Sequence, residues 1–429
     1  MSFIGNQKDS KVTAVGDKAN GAVQTGFLTV NVALTNPVNS VSYRNITANS
    51  NTDILNIRGA GVSLSPNASP RTLTISTNSD LRVSRNSAFM AVNNWTTRAS
   101  ANDGVAGSHG LSGVVWAPEL GIFVAVGNPA VANNGVMTSP DGINWTFRTT
   151  PTSTWSSIAW SPELGLFAAV YFSGPTGFFS ISSPDGIVWT SRATPFDNLW
   201  VKVIWCKELG LFVAVATSGG ADDTKQVMTS PDGIIWTARS TPVIQEWHGL
   251  TWSKELGLLV AVGTNGVMTS PDGTIWTSRT AASNRQWYTV EWSPELSVFA
   301  AAAANGTGNR VMTSPDGITW VAGTSPAIDI PWRSIVWVPQ YSVFVVVGGQ
   351  VEAHRIMYSS DAVTWASIPS PHDANWQSVT WSPELGMLVA TAGVGAGNFI
   401  MTSRPVGVWG AIAQGLTHAQ VMSHLYMRY

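Results

Sequence analysis

Residues 95–410 carry their apolar positions in short runs, with no 3.6-residue spacing anywhere in them. In residues 154–192 such runs fall at Ser156–Trp160, Leu164–Tyr171, Gly177–Ser182 and Val188–Arg192. Each is rich in β-branched or aromatic residues, and Gly, Pro and Asp punctuate the joins, which predicts four short strands, a to d. The same order recurs along the chain. The phrase W-S-P-E-L-G anchors on Trp116, Trp160, Trp205, Trp252, Trp292, Trp337 and Trp381, at gaps of 40 to 47 residues. A second phrase, S-P-D-G-x-x-W-T, follows and ends on Trp145, Trp189, Trp236, Trp276, Trp320 and Trp365. Trp409 closes a degraded seventh copy. A further tryptophan opens strand a of most repeats (Trp155, Trp200, Trp247, Trp287, Trp332 and Trp376), with Leu111 in its place in the first. Trp95 matches only the W-T-x-R tail of the second phrase.

Four strands in about 45 residues, seven times over, is the period of a propeller blade. The expected fold is therefore all-β: a seven-bladed β-propeller of four-stranded antiparallel blades, preceded by a small β-rich stalk or anchor. The stations account for all 21 tryptophans and none precedes Trp95. That change of composition divides the chain into an N-terminal region (1–88), a propeller (89–412) and a C-terminal tail (413–429). Trp95 supplies an extra copy of the last strand, so the strand around Ala91–Arg98 is expected to complete the blade of Trp381 and lock the ring. The alternative is that Thr402–Ile412 completes it. Residues 20–80 read as strands at Gly26–Ala33, Val38–Tyr43, Ile54–Ile57, Val62–Ser65 and Leu73–Ser76. The tail from Ala413 is mildly amphipathic, a short helix or loose.

The repeated S-P-D-G-x-x-W (Ser139–Trp145 and its five successors) resembles the Asp-box of sialidase-like and sortilin-like propellers, a turn between the third and fourth strands of a blade. It lacks one residue of the usual box between Asp and Gly, and the sixth copy has Ala362 for Gly. The box is structural in those families, so the resemblance implies architecture and no activity. The stretch Leu55–Ser76 resembles β-rich shaft or anchor segments of phage tail and head fibres. Such segments commonly trimerise, because a thin strand pair cannot bury its apolar face alone.

Charged residues make up 11% of the chain and the net charge is −2, which argues against electrostatic capture of nucleic acid or an anionic membrane. No apolar window reaches the ~18 residues of a membrane span, and Met1–Lys18 has no apolar leader core. A single cysteine, Cys206, excludes a disulfide framework and a CxxC metal site. No cofactor or metal motif is present, and neither is G-x-S-x-G, H-E-x-x-H or a phosphate loop, so a non-enzyme is expected.

Residues that occur once per blade read as scaffold. The repeated Asp (Asp141, Asp185, Asp232, Asp272, Asp316, Asp361) suits a turn carboxylate accepting backbone N–H groups. The W-T-x-R arginines (Arg98, Arg148, Arg192, Arg239, Arg279) are expected to pack on a neighbouring blade or pair with a repeated acid. The opening tryptophans Trp155, Trp200, Trp247, Trp287, Trp332 and Trp376 have two readings: packing between blades, or an aromatic ring at the channel mouth on which sugars stack. The a–b and c–d turns, on one face of the disc, barely vary. The b–c loops and d–a crossovers, on the other, vary freely, and binding residues favour such loops. That face gathers Asp197, Asp222, Asp223, Glu246, His248, Arg285, Arg310, His354, Arg355, His372 and Asp373 as candidate ligand-binding residues.

The fibre-like segment, the low charge and the lack of an apolar leader core together point to a virion-associated fibre or spike, on a tail or capsid and extracellular after release. Residues 1–88 would join other virion structural proteins and form a homotrimer, and the variable face would bind a host surface glycan or protein. Two alternatives stay open: a structural virion decoration or adaptor docking other virion proteins, and a lectin or glycosidase outside any virus.

Overall fold

Seven four-stranded antiparallel sheets follow one another in a computed structural model of the chain, each with its strands paired in sequence order a-b-c-d. The a strands are Leu111–Ala117, Thr154–Ser161, Leu199–Cys206, Trp247–Ser253, Trp287–Ser293, Trp332–Val338 and Ala374–Ser382, which define blades 1 to 7. They contact one another in a closed cycle, first to second and onward to the seventh and back to the first, so they ring the propeller axis. Within the propeller the structure describes residues 95–99, 110–128, 134–173, 180–217, 220–308, 310–324, 330–349, 355–395 and 400–403, and outside it the backbone of a few strands.

The ring closes as the extra Trp95 copy implies. Trp95–Arg98 is strand d of blade 7, paired antiparallel with Ile400–Ser403, from Ser403↔Trp95 to Ile400↔Arg98. The W-T-x-R arginines correct the sequence reading. Each Nε donates to a strand-c hydroxyl of its own blade, as Arg148 does to Thr138 and Arg192 to Ser182, and Arg98 does the same to Thr402 at 2.9 Å. Both ends of the propeller are thereby joined by the contact that elsewhere joins neighbouring strands.

Two recurrent turns set the blade geometry. In the S-P-D-G turn of blade 1, Asp141 Oδ1 accepts the Ile143 and Asn144 N–H groups and the Ser139 hydroxyl, while Trp145 Nε1 donates to the Gly142 carbonyl. Partial burial pushes the Asp141 carboxyl up, but these hydrogen bonds outweigh it and hold it at about 2. The glycine there sits at φ of about +70° in five repeats, and Ala362 adopts φ 61° in the sixth. In the P-E-L-G turn the glutamate ties blade to blade. Trp160 Nε1 donates to Glu119 at 2.7 Å, Trp205 to Glu163, Trp252 to Glu208, Trp292 to Glu255 and Trp337 to Glu295. Gln340 takes the acid's place for Trp381, and Glu384 of blade 7 accepts from Trp116 of blade 1 at 2.6 Å, completing a circle of seven.

The core lies between blades. Strands b and c are almost wholly buried, and the opening tryptophans are its largest fully buried side chains. Contacts divide the chain into Ala91–Gly407 and a second unit made of Met1–Met90 with Val408–Tyr429. In the second unit a hairpin pairs Leu28–Asn36 with Ser40–Ala48, where the sequence suggested Gly26–Ala33 and Val38–Tyr43. A four-stranded sheet joins Ser2–Asn6, Asp9–Thr13, Thr72–Ile75 and Ser63–Leu64; its first two strands were not anticipated. Trp409 and the tail 413–429 lie outside the described residues.

Candidate functional site

One irregularity occurs in every blade. In every blade, and in blades 2 and 7 just after a second shift, the pairing of strand a with strand b shifts by one at the residue after the opening position. This is a β-bulge, one extra residue without a partner across the ladder. Its effect is clearest in blade 2. Trp155 and Trp160 are five apart and would lie on opposite faces of a regular strand, yet they pair with Tyr171 and Phe167, which are four apart on strand b. The bulge puts both indoles on the same face of the sheet, packed on those rings. It also frees the inserted residue from packing.

The inserted residues are Ser112, Ser156, Val201, His248, Tyr288, Arg333 and Gln377. All seven line a single cavity of about 260 Å³ on the axis. They lie at the start of strand a, at the end of the channel next to the b–c loops and crossovers. The opening tryptophans, 0–1% exposed, face the blade packing instead. The aromatic ring expected as a possible sugar platform at Trp155, Trp200, Trp247, Trp287, Trp332 and Trp376 is therefore corrected: the bulge gives the channel position to the next residue.

Three consecutive inserted residues stack on one another. The His248 ring lies parallel to that of Tyr288, with centroids 4.4 Å apart and planes 14° apart. The Arg333 guanidinium sits over the same phenol ring, 4.2 Å from its centroid. Glu246 supports the stack from the crossover: its Oε2 accepts from Thr264 at 2.9 Å and Gln286 at 3.1 Å, and lies 3.6 Å from His248 Nε2. Burial pushes the His248 imidazole down to about 4, against the pull of Glu246 and with the help of Arg333, so it is neutral at neutral pH. One residue further along strand a, four blades carry a hydroxyl (Ser157, Thr289, Ser334, Ser378) that accepts an N–H from the next blade. Blade 3 has Lys202 at this position, on the cavity wall. Burial pushes its ammonium down, partly offset by the field of Glu291. Burial likewise raises the Glu291 carboxyl to about 7, partly offset by Lys202.

Among the residues proposed from sequence, His248 lines the cavity and Glu246 buttresses it. The structure assigns three arginines to the scaffold instead. Arg310, 6% exposed, donates to the Ile330 carbonyl, and Arg355, 4% exposed, donates to the Ala374 carbonyl and pairs with Asp373. Gln226 makes the same link to Gln245 in blade 3, so this position ties strand c to the crossover that follows it. Arg285 clamps the carbonyls of Asn305 and Thr307. Arg310 and Arg355 are buried and held by backbone carbonyls, Arg355 with Asp373 as a partner, and the part-buried Arg285 is spent on two loop carbonyls, which argues for a scaffold role over ligand binding at all three. Asp222 closes a local turn onto the Thr224 N–H and hydroxyl, and Asp223 accepts from Gly220. The backbone carbonyls of Asp197 and His372 accept loop N–H groups. None of these lines the cavity. His354 lies outside the described residues. Tyr288, Arg333, Lys202 and Gln377 are the residues the loop-based reading missed.

The fold and its site define a seven-bladed β-propeller with an individually varied polar mouth on its axis. No family model and no curated protein sequence matches the chain. Solved structures match it at the level of fold. A streptogramin B lyase superposes with a TM-score of 0.58 at 10% identity, over 73% of this chain and 98% of that one. A GH74 enzyme of Niastella koreensis gives 0.53 at 14%, over 70% of this chain and 53% of the other, so the match spans about half of that enzyme's length. The WD40 β-propeller domain of Doa1 gives 0.52 at 12%, over 72% and 97%. Enzymes and a WD40 domain share this scaffold, so the likeness carries the architecture alone.

Proposed function

We propose that the propeller is a ligand-binding module whose site is the channel mouth on the variable face. The observation that supports this most is the bulge. A ring that repeats its turns, its indole–carboxylate contacts and its buried strands varies at the inserted position of each blade, which faces the axis. A position released from packing can hold whatever side chain a ligand requires. At the level of the whole chain, the reading is an attachment protein of a virus particle, with the propeller engaging a glycan or protein of the host surface. Residues 1–88 would then join neighbouring virion proteins as a homotrimer. The support for this part is the fibre-like stretch Leu55–Ser76 and the low overall charge.

Glycan-array and host-cell binding of the full chain, compared with Val201→Trp and Gln377→Trp, tests the site. Both substitutions fill the mouth from residues that make no blade-to-blade hydrogen bond, and both are expected to abolish binding. Binding that survives both, but is lost when Asp222 and Asp223 are changed to Ala, would move the site to the loops. Light scattering of the full chain tests assembly, where a mass three times the 45.6 kDa of one chain is expected. A monomer at every concentration would remove the trimer.

A further inference from the structure

The walls of the cavity carry charge of one sign. Lys202 and Arg333 line it, and no Asp or Glu does. No described carboxylate lies within ion-pair distance of either cation: Glu246 pairs with His248, Glu291 reaches Lys202 only through its field and is itself held largely protonated below about 7, and the described ion pairs of the surface involve other residues. A guanidinium in a cavity without a counter-ion costs free energy unless something offsets the loss of water. Here its Cζ rests over the ring of Tyr288, which is itself stacked on His248. A guanidinium already held in place loses little freedom when its fork meets an oxyanion. Neutral polar groups make up much of the remaining wall, including Ser112, Ser156, Thr154 and Gln377. Ser156 already donates to the Trp200 carbonyl, whereas Gln377 can turn toward a hydroxyl. At about 260 Å³ the space is near the lower end of small-molecule sites, which run from roughly 300 Å³ upward. It takes one compact ring rather than an oligomer.

We propose that the channel mouth binds a monosaccharide-sized, hydroxylated ligand that carries one oxyanion, a carboxylate or a phosphate, held between Arg333 and Lys202. The proposal rests on the reading of the mouth as a binding site and names the class of its ligand. Tyr288 and His248 act as positioning residues for Arg333.

Calorimetric titration of the full chain with D-glucuronate, D-glucose 6-phosphate and D-glucose tests it. At least one acidic sugar is expected to bind about tenfold or more tightly than glucose, since a charge-assisted hydrogen bond outweighs a neutral one by about that factor. Preference for glucuronate identifies a carboxylate ligand and preference for the 6-phosphate a phosphate; either supports the proposal. Arg333→Gln and Lys202→Met should each remove that preference, whereas Arg285→Gln, on the loops, should leave it intact. Arg333→Lys, which keeps the charge but loses the fork and the stack, serves if the glutamine variant does not fold, and should weaken binding while keeping its sign. Glucose bound as tightly as both acids overturns the anion assignment and leaves the mouth as a binding site. Acidic sugars bound equally well by Val201→Trp, which plugs the mouth, overturn the site itself. No binding of any of the three sugars by the wild-type chain also overturns the proposal.

Discussion

Replacing Trp95 by Ala tests how the propeller closes. Its indole is 7% exposed, at the station occupied by Trp145 in blade 1. A tryptophan buries about 150–250 Å², so its removal should cost about 3–5 kcal/mol, as large-to-small core changes do. Trp145→Ala should cost about the same by packing alone. The two differ in connectivity. Arg148 meets Thr138 across 10 residues, whereas Arg98 meets Thr402 across 304. Strand d of blade 1 is held to strand c by the S-P-D-G turn, whereas no turn joins Trp95–Arg98 to Ile400–Ser403, and over the unfolded chain the longer separation costs about 3 kcal/mol more closure entropy. The same loss of burial should therefore detach the closing strand in Trp95→Ala, while strand d of blade 1 stays docked in Trp145→Ala. Hydrogen exchange by mass spectrometry reads this directly. Amides of residues 400–403 should lose protection in Trp95→Ala and keep it in Trp145→Ala, with both variants shifted to lower urea midpoints. Equal protection at 400–403 in the two variants, or a loss of stability below about 1 kcal/mol for Trp95→Ala, would refute the reasoning.

Glu291→Gln should remove a loss of stability that sets in as pH rises above 5. The carboxyl is raised from 4.5 to about 7, so the folded state holds a proton that the unfolded chain releases, and stability falls as pH rises through that window. At about 1.4 kcal/mol per unit this carboxyl should remove about 2.5 kcal/mol between pH 5 and pH 8, opposed by His248, whose lowered imidazole adds stability over the same range, so the readout in urea titrations is the wild-type minus variant difference, which should fall by about that amount. Ala362→Gly should raise the melting temperature, because Ala362 holds φ 61° where five other repeats have glycine, and a left-handed residue with a Cβ costs about 1–2 kcal/mol; an unchanged or lower melting temperature would mean that the buried methyl outweighs the strain. Glu255→Ala should cost about 1–2 kcal/mol by removing the acceptor of Trp292 at 2.8 Å, whereas Glu255→Gln should be nearly neutral in the same denaturation assay, since Gln340 already serves that role for Trp381.

Most of the scaffold was legible because each blade repeats the residues that build it. The S-P-D-G turn, the four-strand period and the closing role of Trp95 follow from local chemistry, and local chemistry leaves its mark at a fixed spacing. The arginines were misread for the opposite reason. Arg310 and Arg355 stand in variable loops, and nothing adjacent in sequence says that a carbonyl twenty residues away takes up each guanidinium. The channel mouth was given to the opening tryptophans because they repeat, while Tyr288 and Arg333, which do not repeat, were not placed there. One signal was available. Two buried tryptophans five apart, such as Trp155 and Trp160, cannot share a face of a regular strand. An odd spacing kept in blade after blade implies an inserted residue, and the residue after the first tryptophan is the one left over.

The bulge separates two tasks that a strand usually performs with the same residues. Indoles on either side of it hold the ring, and the inserted residue turns to the axis, although Ser156 also bonds the Trp200 carbonyl of the next blade. Seven such positions form a short alphabet written on a fixed frame, one letter per blade. Rewriting a letter leaves the turns, the indole–carboxylate circle and the closing strand untouched. On the proposed reading of the mouth, single substitutions at residues 112, 156, 201, 248, 288, 333 and 377 would change what it holds. The same seven codons are the natural library from which to retarget it.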